Sequence, residues 1–460
     1  MSDPIVVTRF APSPSGELHL GNVRTALFNA LWARHHGGRF LLRIEDSDAA
    51  RSQEAHVAAL VADLHWLGLS WDEQPLRQSQ RYERYNQLLG ELLASNSAYP
   101  CFCTTEQLEA GRRAQLAAGL PPRYSGTCRH LSAEQRATRL AAGEPATVRF
   151  AVPQQGSVQF DDLVHGPRSV PVTELGDFVL RRADGSPAFF FCNAVDDADS
   201  GVTHALRGDD HLSNTPRQVL ILQALGRTPP RYGHLALLTG PDGSPLSKRH
   251  GAASLRQLRE EGFVPAAVTN LLFRLGHSST EAALLSADAM ARAFGPAHLQ
   301  RAPAQFDPAQ LLHWQREALT ALTAEQAAVW MGPQLPADLP DSQRDAFVAA
   351  VLPNVLRPHE AAFWVQVAFG DAPEADADAQ AAIAMAPAGL FAAAAAAAAL
   401  HPQDFKAIAD AAKAATGAKG PALFKPLRAA LTGRLQGPEL GPLLRAFAAD
   451  VARQRLQRFT

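Results

Sequence analysis

Cysteine is scarce in this chain, with four residues among 460, and no long run of strongly apolar side chains occurs. Four cysteines are too few for a disulfide framework in a chain of this length, which is typical of a reducing compartment. The nearest approach to an apolar span, FAAAAAAAAL at 391–400, is mostly alanine, which favours a helix in a soluble bundle. The first residues also lack the charged and apolar regions of a signal peptide. We therefore expect a cytoplasmic protein with no membrane contact.

Net charge is also small, at −2, which excludes a uniformly basic nucleic-acid-binding surface but permits a basic face on one domain. Residues 321–400 hold nine acidic and two basic side chains, whereas residues 401–460 hold four acidic and ten basic ones. The basic terminal segment suits a surface that contacts phosphates, and it equally suits an unevenly charged solvated surface.

The first half of the chain alternates segments of strand and helix character, which predicts an α/β fold with a largely parallel sheet. The predicted strands are VVTRF, RFLLRIED, ATVRFAV, GDFVLRRADG, AFFFCNAVDD and THALRGDD, and the predicted helices are VRTALFNALWARHH and SQEAHVAALVADLHWLG. From about residue 255 the strand patterns stop, and Ala- and Leu-rich segments divided by Pro and Gly predict a helical region.

The stretch APSPSGELHLGN at 11–22 joins the first predicted strand to the first helix. Gly16 and Gly21 permit close approach of a ligand to the backbone, and the free N–H groups at the helix start suit a phosphate. His19 could donate a hydrogen bond to a phosphate oxygen as charge develops there. A nucleotide-binding turn and a simple loop with one exposed histidine both fit this stretch.

Two further stretches favour a nucleotide-dependent enzyme. In RFLLRIEDSD, Glu45 follows a buried strand, where open α/β sheets bind ligands, and can hold an amino group. Asp46 and Asp48 in the same stretch are better explained by capping or turn formation. In GSPLSKRHG at 243–251, Lys248 and Arg249 could close over a triphosphate, although most such loops are basic surface loops.

Three of the cysteines and one histidine have the spacing of a metal site. Cys101 and Cys103 form a C-x-C pair, and Cys128 and His130 form a C-x-H pair after 24 intervening residues. Four such ligands suit a closed, tetrahedral structural zinc site, and the alternative is three free thiols with an incidental histidine. Cys192, within FFFCN, is expected to be a buried core residue.

Together these motifs resemble class I aminoacyl-tRNA synthetases. HLGN at 19–22 is similar to their HIGH motif, and PLSKR at 245–249 to their KMSKS motif. TRFAPSPSGELHLGNVRTALFNALWAR, RIEDSD, GVTHALRGDDHLSNTPRQ and LSKRHG resemble the bacterial glutamyl-tRNA synthetase family, with a dense match from residue 5 to about 275.

The resemblance implies a Rossmann-like parallel-sheet catalytic domain with an inserted acceptor-binding subdomain, followed by an all-α anticodon-binding region. The implied boundaries are 1–100 with 191–240 for the catalytic domain, 101–190 for the insertion, 241–310 for the KMSKS-like loop and stem-contact helices, and 311–460 for the anticodon-binding domain. The implied reaction joins L-glutamate to ATP as glutamyl-adenylate and transfers it to tRNA-Glu. Some members of the family also charge tRNA-Gln, and a monomer is usual.

The resemblance also assigns site residues. His19 and Lys248 are implied as catalytic; Pro12, Ser13, Gly16, His19, Gly21, Lys248 and Arg249 as ATP-binding; Arg9, Ser13, Glu45, Phe189, Asn193 and Arg207 as glutamate-binding. Mg²⁺ accompanies the ATP, and a structural zinc is implied at Cys101, Cys103, Cys128 and His130, with Tyr124 as a substitute ligand.

The chain departs from the family at three places. Phe189 replaces the usual Tyr and lacks its hydroxyl, Asn22 replaces a commoner Gly, and Pro245 replaces a Lys and stiffens the entry to its loop. Arg207 also has a purely structural interpretation, a salt bridge to Asp209 or Asp210.

Two different functions stay open beside this one. A non-catalytic paralogue that binds tRNA or nucleotide would share the fold, although it would be expected to lose His19 or Lys248. A shorter paralogue that glutamylates the modified queuosine base of another tRNA would end near residue 300, about 160 residues before this chain does.

Overall fold

The computed structural model describes residues 5–48, 52–246 and 254–460. The chain divides into two compact units: Met1–Arg256 with Thr269–Pro308, and Gln257–Val268 with Ala309–Thr460. We call these the first and the second unit. Lys248 and Arg249, which carry part of the predicted ATP site, lie outside the described residues.

The strands of the described residues all belong to the first unit. They are β1 Val7–Phe10, β2 Arg39–Ile44, β3 Leu76–Arg77, β4 Ala98–Cys101, β5 Thr147–Phe150, β6 Ser157–Asp162, β7 Gly166–Pro171, β8 Val179–Arg181, β9 His204–Gly208, β10 Arg231–Leu235, β11 Leu238–Thr239 and β12 Ala304–Gln305. The short pair β11–β12 shows that strand structure continues past residue 255, contrary to the sequence-based prediction.

The helices of the first unit precede or follow these strands. They are α1 Leu20–His35, α2 Glu54–Trp66, α3 Tyr82–Ala94, α4 Thr105–Ala117, α5 Ala133–Ala141, α6 Phe189–Asp199, α7 Thr215–Ala224 and α10 Ala287–Ala293. Two more helices, α8 Leu255–Glu260 and α9 Pro265–Arg274, contain the first two of the three points at which the chain passes between the units; the third follows Pro308.

The strands around the turn 11–22 pair mainly in parallel. β1 pairs with β2, β2 with β3, and β9 with β10, all parallel. Val7 and Thr203, at the starts of β1 and β9, exchange hydrogen bonds, with Thr203 N–H donating to Val7 O at 2.9 Å. The carboxyl ends of β1, β2 and β9 therefore lie at one edge, where α/β sheets bind ligands.

The insertion between β3 and β9 is built differently. β4, β5 and β8 form an antiparallel sheet, and β6 and β7 form an antiparallel hairpin. β6 also pairs in parallel with β10. The predicted α/β class is confirmed, but the strand predicted in ATVRFAV belongs to the antiparallel sheet.

One predicted strand is wrong. AFFFCNAVDD forms the helix α6 instead of a strand. The residues from Phe191 to Asp197 are all buried, so no apolar stripe of helical period is visible in the sequence. Its run of three phenylalanines has high strand propensity, and tertiary burial overrides that preference.

The second unit is helical, as predicted. Its remaining helices are α11 Pro308–Thr320, α12 Ala324–Met331, α13 Asp341–Val351, α14 Ala362–Phe369, α15 Ala377–Ala384, α16 Leu390–Leu400, α17 Phe405–Thr416, α18 Pro421–Thr432, α19 Leu440–Leu444 and α20 Val451–Gln457. The alanine run forms α16, and its small side chains Ala394 and Ala398 are fully buried, which lets neighbouring helices approach closely. Among the described residues, no helix is both long and apolar enough to span a membrane.

Candidate active site

A cavity of about 510 Å³ lies in the first unit where β1, β2 and β9 end. Eight of the predicted site residues line it: Arg9, Pro12, Ser13, Gly21, Glu45, Phe189, Asn193 and Arg207. Gly16 and His19 do not line this cavity and are exposed on the turn beside it.

The turn 11–22 is fastened to the end of β2. The Glu45 N–H donates to Pro12 O at 3.0 Å, which joins the turn to the carboxylate-bearing residue. His19 is the N-cap of α1, but its side chain makes no capping hydrogen bond, and the imidazole remains exposed beside the helix start. A Cβ at Gly21 would meet only open space, so the lack of a side chain at this position leaves more room in the cavity.

A buried ion network forms the floor of the cavity. Asp197 on α6 accepts a hydrogen bond from Arg9 Nε of β1 at 3.0 Å and another from Arg43 Nη1 of β2. Arg43 Nη2 donates to Asn193 Oδ1 at 2.7 Å and to Glu45 Oε1 at 3.2 Å. One carboxylate thus ties together three elements of the cavity wall.

Burial and neighbouring charges shift the pKa values of the two carboxyl groups of this network, Glu45 and Asp197, in opposite directions. Burial raises the pKa of Glu45, although Arg43 and Asn193 oppose that shift. Burial also acts to raise the pKa of Asp197, but Arg43 and Arg9 outweigh it and lower the pKa to about 2. Asp197 is therefore ionised at neutral pH and neutralises part of the arginine charge.

Arg207 on β9 differs from Arg9 and Arg43, because no carboxylate of the described residues bonds it. Its Nε donates to His234 Nε2 at 3.2 Å, and its Nη2 donates to Thr215 Oγ1 at 2.7 Å. Within the described residues, its Nη1 has no hydrogen-bond partner, and no carboxylate forms an ion pair with it. Asp209 and Asp210, its predicted structural partners, pair instead with His165 and His211.

Burial lowers the pKa of Arg207 to about 10, which still leaves the guanidinium charged at neutral pH. A buried charge without a counter-charge is costly, so it favours an anionic ligand in the cavity. Arg207 is therefore suited to bind a carboxylate that enters from solvent.

Phe189 begins α6 and lines the same cavity. Its ring stacks on His211 with a centroid distance of 5.4 Å and an interplanar angle of 21°. It supplies an apolar wall and no hydrogen bond, which agrees with the loss of a hydroxyl expected from its sequence.

Asp46 has the structural role that the sequence favoured. Its Oδ1 accepts the Ser79 N–H at 2.8 Å, and its Oδ2 accepts Arg77 Nε at 2.9 Å. These bonds connect the end of β2 to the turn that follows β3.

Sequence reasoning missed four residues that support the site: Arg43, Asp197, Thr215 and His234. Arg43 carried a visible signal, since a charged residue in an apolar strand must find a buried partner. Asp197 was hidden by the incorrect strand in AFFFCNAVDD. Thr215 and His234 carried no signal, because nothing in their spacing places them beside Arg207.

The three predicted cysteine ligands meet in the insertion. The Sγ atoms of Cys101, Cys103 and Cys128 lie within 4.8 Å of one another, and all four cysteines of the chain are free. Tyr124 Oη contacts Cys101 Sγ at 3.2 Å and Cys103 Sγ at 3.6 Å. His130, the fourth predicted ligand, is exposed and does not belong to this group.

The donor set and its spacing fit a zinc ion. Zinc binds thiolates at about 2.3 Å, so the sulfurs of a tetrahedral site lie about 3.8 Å apart. The Sγ atoms of Cys103 and Cys128 are 3.6 Å apart. Burial raises the pKa of Cys101, but hydrogen bonds from Tyr124 and the Cys103 backbone, with the charge of Arg149, lower it to about 7.

Comparison with known proteins identifies the class. The family described as tRNA synthetases class I (E and Q), catalytic domain, matches residues 5–313, and an anticodon binding domain matches residues 323–460. Because the first match covers more than half of the chain, the chain belongs to the class I tRNA synthetases of the glutamate and glutamine group. The family predicted from the motifs is confirmed.

The individual proteins that the chain resembles include several glutamate–tRNA ligases. The chain is 51% identical to glutamate–tRNA ligase 2 of Alkalilimnicola ehrlichii, over 100% of this chain and 98% of that protein. It is also 51% identical to glutamate–tRNA ligase 2 of Nitrosococcus oceani, over 99% and 98% of the two chains. A solved glutamate tRNA ligase of Elizabethkingia meningosepticum, in complex with its amino acid, matches with a TM-score of 0.88 and 27% identity over 99% of both chains.

Replacing the carboxylate that unites the cavity wall should be strongly destabilising. In Asp197→Asn, the buried charge of Arg9 would lose its counter-ion and that of Arg43 would keep only Glu45, so we expect a loss of about 3 to 5 kcal/mol in the free energy of unfolding. The measurement is urea denaturation at pH 7. The matched control is Glu73→Gln, which breaks the half-exposed pair with Arg39 and should cost under about 1 kcal/mol. Equal effects of the two substitutions would contradict this role of Asp197.

Proposed function

We propose that the protein activates L-glutamate with ATP and transfers the glutamyl group to the 3′-terminal adenosine of tRNA-Glu. The observation that carries the proposal is the buried charge of Arg207, which faces the cavity without a carboxylate partner among the described residues. The names of the full-length relatives support the same activity.

Glutamate fits the cavity through its three charged groups. Arg207 would hold the side-chain carboxylate, because the α-carboxylate must remain free to attack ATP. Glu45 would hold the α-ammonium group, with Ser13 and Asn193 beside it in the wall. Arg9 would add positive charge, although Asp197 already satisfies part of its bonding. Phe189 would pack against the aliphatic part of the substrate.

ATP would lie over the turn 11–22 and the start of α1. Backbone N–H groups there, with Pro12, Ser13, Gly16 and Gly21 shaping the turn, suit the phosphates. His19 would donate a hydrogen bond to phosphate oxygens, and Lys248 and Arg249 would neutralise the departing pyrophosphate. Mg²⁺ would arrive bound to ATP and shield the charge on its phosphates.

The chemistry needs positioning more than it needs proton transfer. An α-carboxylate oxygen of glutamate attacks the α-phosphorus of ATP, and the bond to pyrophosphate breaks. A ribose hydroxyl of the terminal adenosine then attacks the glutamyl carbonyl carbon, and AMP leaves. Holding the reactants in line supplies most of the rate enhancement.

The terminal adenosine has a place to enter. A second cavity of about 540 Å³ shares Ser13, Ser15, Glu45 and Phe189 with the first. Its other walls are mostly polar, with Ser47, Arg182, Asp184 and Ser186 among them. Polar walls next to the aminoacyl group suit a ribose with free hydroxyls. We assign this cavity to the 3′ end of the tRNA.

The remaining assignments follow from the family. Residues 101–190 would grip the acceptor stem, stiffened by one zinc ion on Cys101, Cys103 and Cys128 with Tyr124 as the fourth ligand. Residues 241–310 would carry the KMSKS-like loop and contact the stem, and residues 311–460 would read the anticodon. Charging of tRNA-Gln, the monomeric state and a cytoplasmic location stay predictions.

Charging assays test the proposed function directly. With ATP, Mg²⁺ and labelled glutamate, the purified protein should esterify separated tRNA-Glu, measured as acid-precipitable label that mild alkali releases. Periodate-treated tRNA-Glu, which lacks the terminal hydroxyls, is the matched control and should accept no label. Failure both to charge tRNA and to exchange pyrophosphate into ATP would instead indicate a non-catalytic protein that binds tRNA or nucleotide.

The same assay separates esterification from base modification and shows which tRNA is used. Modification of a base such as queuosine would instead label a tRNA other than tRNA-Glu, and that label would stay with the tRNA body after removal of the terminal adenosine. This result would contradict esterification. Charging of tRNA-Gln beside tRNA-Glu would show that the helical region tolerates both anticodons.

Metal analysis tests the cysteine site. We expect about one zinc per chain by elemental analysis. Cys103→Ser and Cys128→Ser should lose the metal, because each removes a thiolate. His130→Ala should retain it and Tyr124→Phe should weaken it, since Tyr124 contacts the thiols. Loss of zinc from His130→Ala with retention in Tyr124→Phe would contradict the assigned fourth ligand.

A further inference from the structure

Three buried side chains stand behind Arg207, on the side away from the cavity: Asp162 at the end of β6, His234 on β10 and Thr215 at the start of α7. We call them the Asp162–His234–Thr215 chain. All three are buried, and their atoms join in one hydrogen-bonded sequence that ends on the guanidinium of Arg207. No step of the proposed reaction uses them.

Asp162 fixes the tautomer of His234. Its Oδ1 accepts the N–H groups of Val164 and His165, both at 2.9 Å, and its Oδ2 accepts His234 Nδ1–H at 2.5 Å. Burial would raise the pKa of Asp162, but His234 and these backbone bonds lower it to about 2, so the group is ionised. With the proton held on Nδ1, the Nε2 of a neutral imidazole can only accept a hydrogen bond.

The acceptor on His234 and the hydroxyl of Thr215 then orient Arg207. Arg207 Nε–H donates to His234 Nε2 at 3.2 Å, and Arg207 Nη2–H donates to Thr215 Oγ1 at 2.7 Å. Thr215 Oγ1 lies 3.0 Å from His234 Nε2 and completes the sequence by donating to it. Two edges of the guanidinium are thereby fixed, and Nη1 has no hydrogen-bond partner among the described residues. Arg207 itself lines the cavity.

The direct partners of Arg207 are neutral acceptors, whereas Arg9 and Arg43 bond the carboxylate of Asp197. Neutral acceptors orient a guanidinium without cancelling its charge. A carboxylate in the place of His234 would have satisfied the geometry equally well but neutralised the cation. The arrangement therefore keeps one full positive charge available to the ligand.

We propose that the Asp162–His234–Thr215 chain consists of positioning residues that hold Arg207 oriented without a direct carboxylate partner, and so set the preference for an amino acid with an anionic side chain. The proposal rests on the proposed function and adds the specificity device to it.

Substitutions at Thr215 give the sharpest test, because valine has nearly the volume of threonine. The assay is ATP–pyrophosphate exchange with tRNA-Glu present, with the KM for glutamate, the KM for ATP and kcat measured separately. In Thr215→Val, loss of a hydrogen bond to a charged group should raise the KM for glutamate about tenfold. The KM for ATP and kcat should stay within about twofold, because Thr215 orients only the amino-acid site. The matched control, Thr215→Ser, keeps the hydroxyl and should behave like the unmodified protein.

Two substitutions at His234 provide an independent comparison. The amide of His234→Asn falls near the position of Nδ1 and keeps the bond to Asp162, whereas the amide of His234→Gln falls near Nε2 and keeps the acceptor for Arg207. We expect His234→Asn to raise the KM for glutamate more than His234→Gln does. Both Thr215→Val and His234→Asn should also reduce the preference for glutamate over glutamine as a competing ligand.

The outcomes separate a positioning role from a structural one, and both from the proposed function. An unchanged KM for glutamate in Thr215→Val, or an equal loss of kcat and of affinity for ATP, would overturn the positioning role and indicate a merely structural one. A lower thermal midpoint with the predicted change in KM would still support it, since Thr215→Ser controls for folding. If the unmodified protein shows no glutamate-dependent exchange, the proposed function fails, and this proposal fails with it.

Discussion

The first unit depends on one interaction, the binding of two buried arginines by the carboxylate of Asp197. Asp197 lies on α6 and binds an arginine from each of two adjacent parallel strands, Arg9 of β1 and Arg43 of β2. Because all three groups are buried, none can be satisfied by water if another is removed. The position of the cavity, at the carboxyl ends of these strands, follows from this connection.

The same network accounts for how charge is distributed around the cavity. Arg9 and Arg43 are partly neutralised by Asp197 and Glu45, so they shape the wall more than they attract an anion. Arg207 has only neutral direct partners. Arg24 also lines the cavity without a carboxylate partner among the described residues, but it donates to the backbone carbonyls of Leu275 and Ala236. Glu45, in the same cavity wall, is acidic and suits the ammonium group of the same ligand. An amino acid with an anionic side chain matches this pattern of one cationic and one anionic partner.

Sequence reasoning could predict the parts of the site that lie close together along the chain. The turn 11–22, Glu45 at the end of β2 and the helical second unit all follow from local patterns. The packing of α6 could not be predicted, because it is buried on every side and its phenylalanines favour a strand. The spacing favoured His130 as the fourth zinc ligand and left Tyr124 as a substitute, because spacing says nothing about where side chains point; the structure has Tyr124 beside the cysteines. The partners of Arg207 come from β10 and α7, with Asp162 of β6 bonded to His234. The spacing of residues in the sequence does not reveal such long-range contacts.

The most direct test of this account compares glutamate with glutamine in ATP–pyrophosphate exchange, with tRNA-Glu present, in the unmodified protein and in Arg207→Gln. The two amino acids have nearly the same shape and differ in side-chain charge. The account predicts that the unmodified protein activates glutamate far better than glutamine and that Arg207→Gln loses most of this preference. Equal use of both amino acids by the unmodified protein, or an unchanged preference in Arg207→Gln, would contradict the claim that the buried charge of Arg207 selects the substrate.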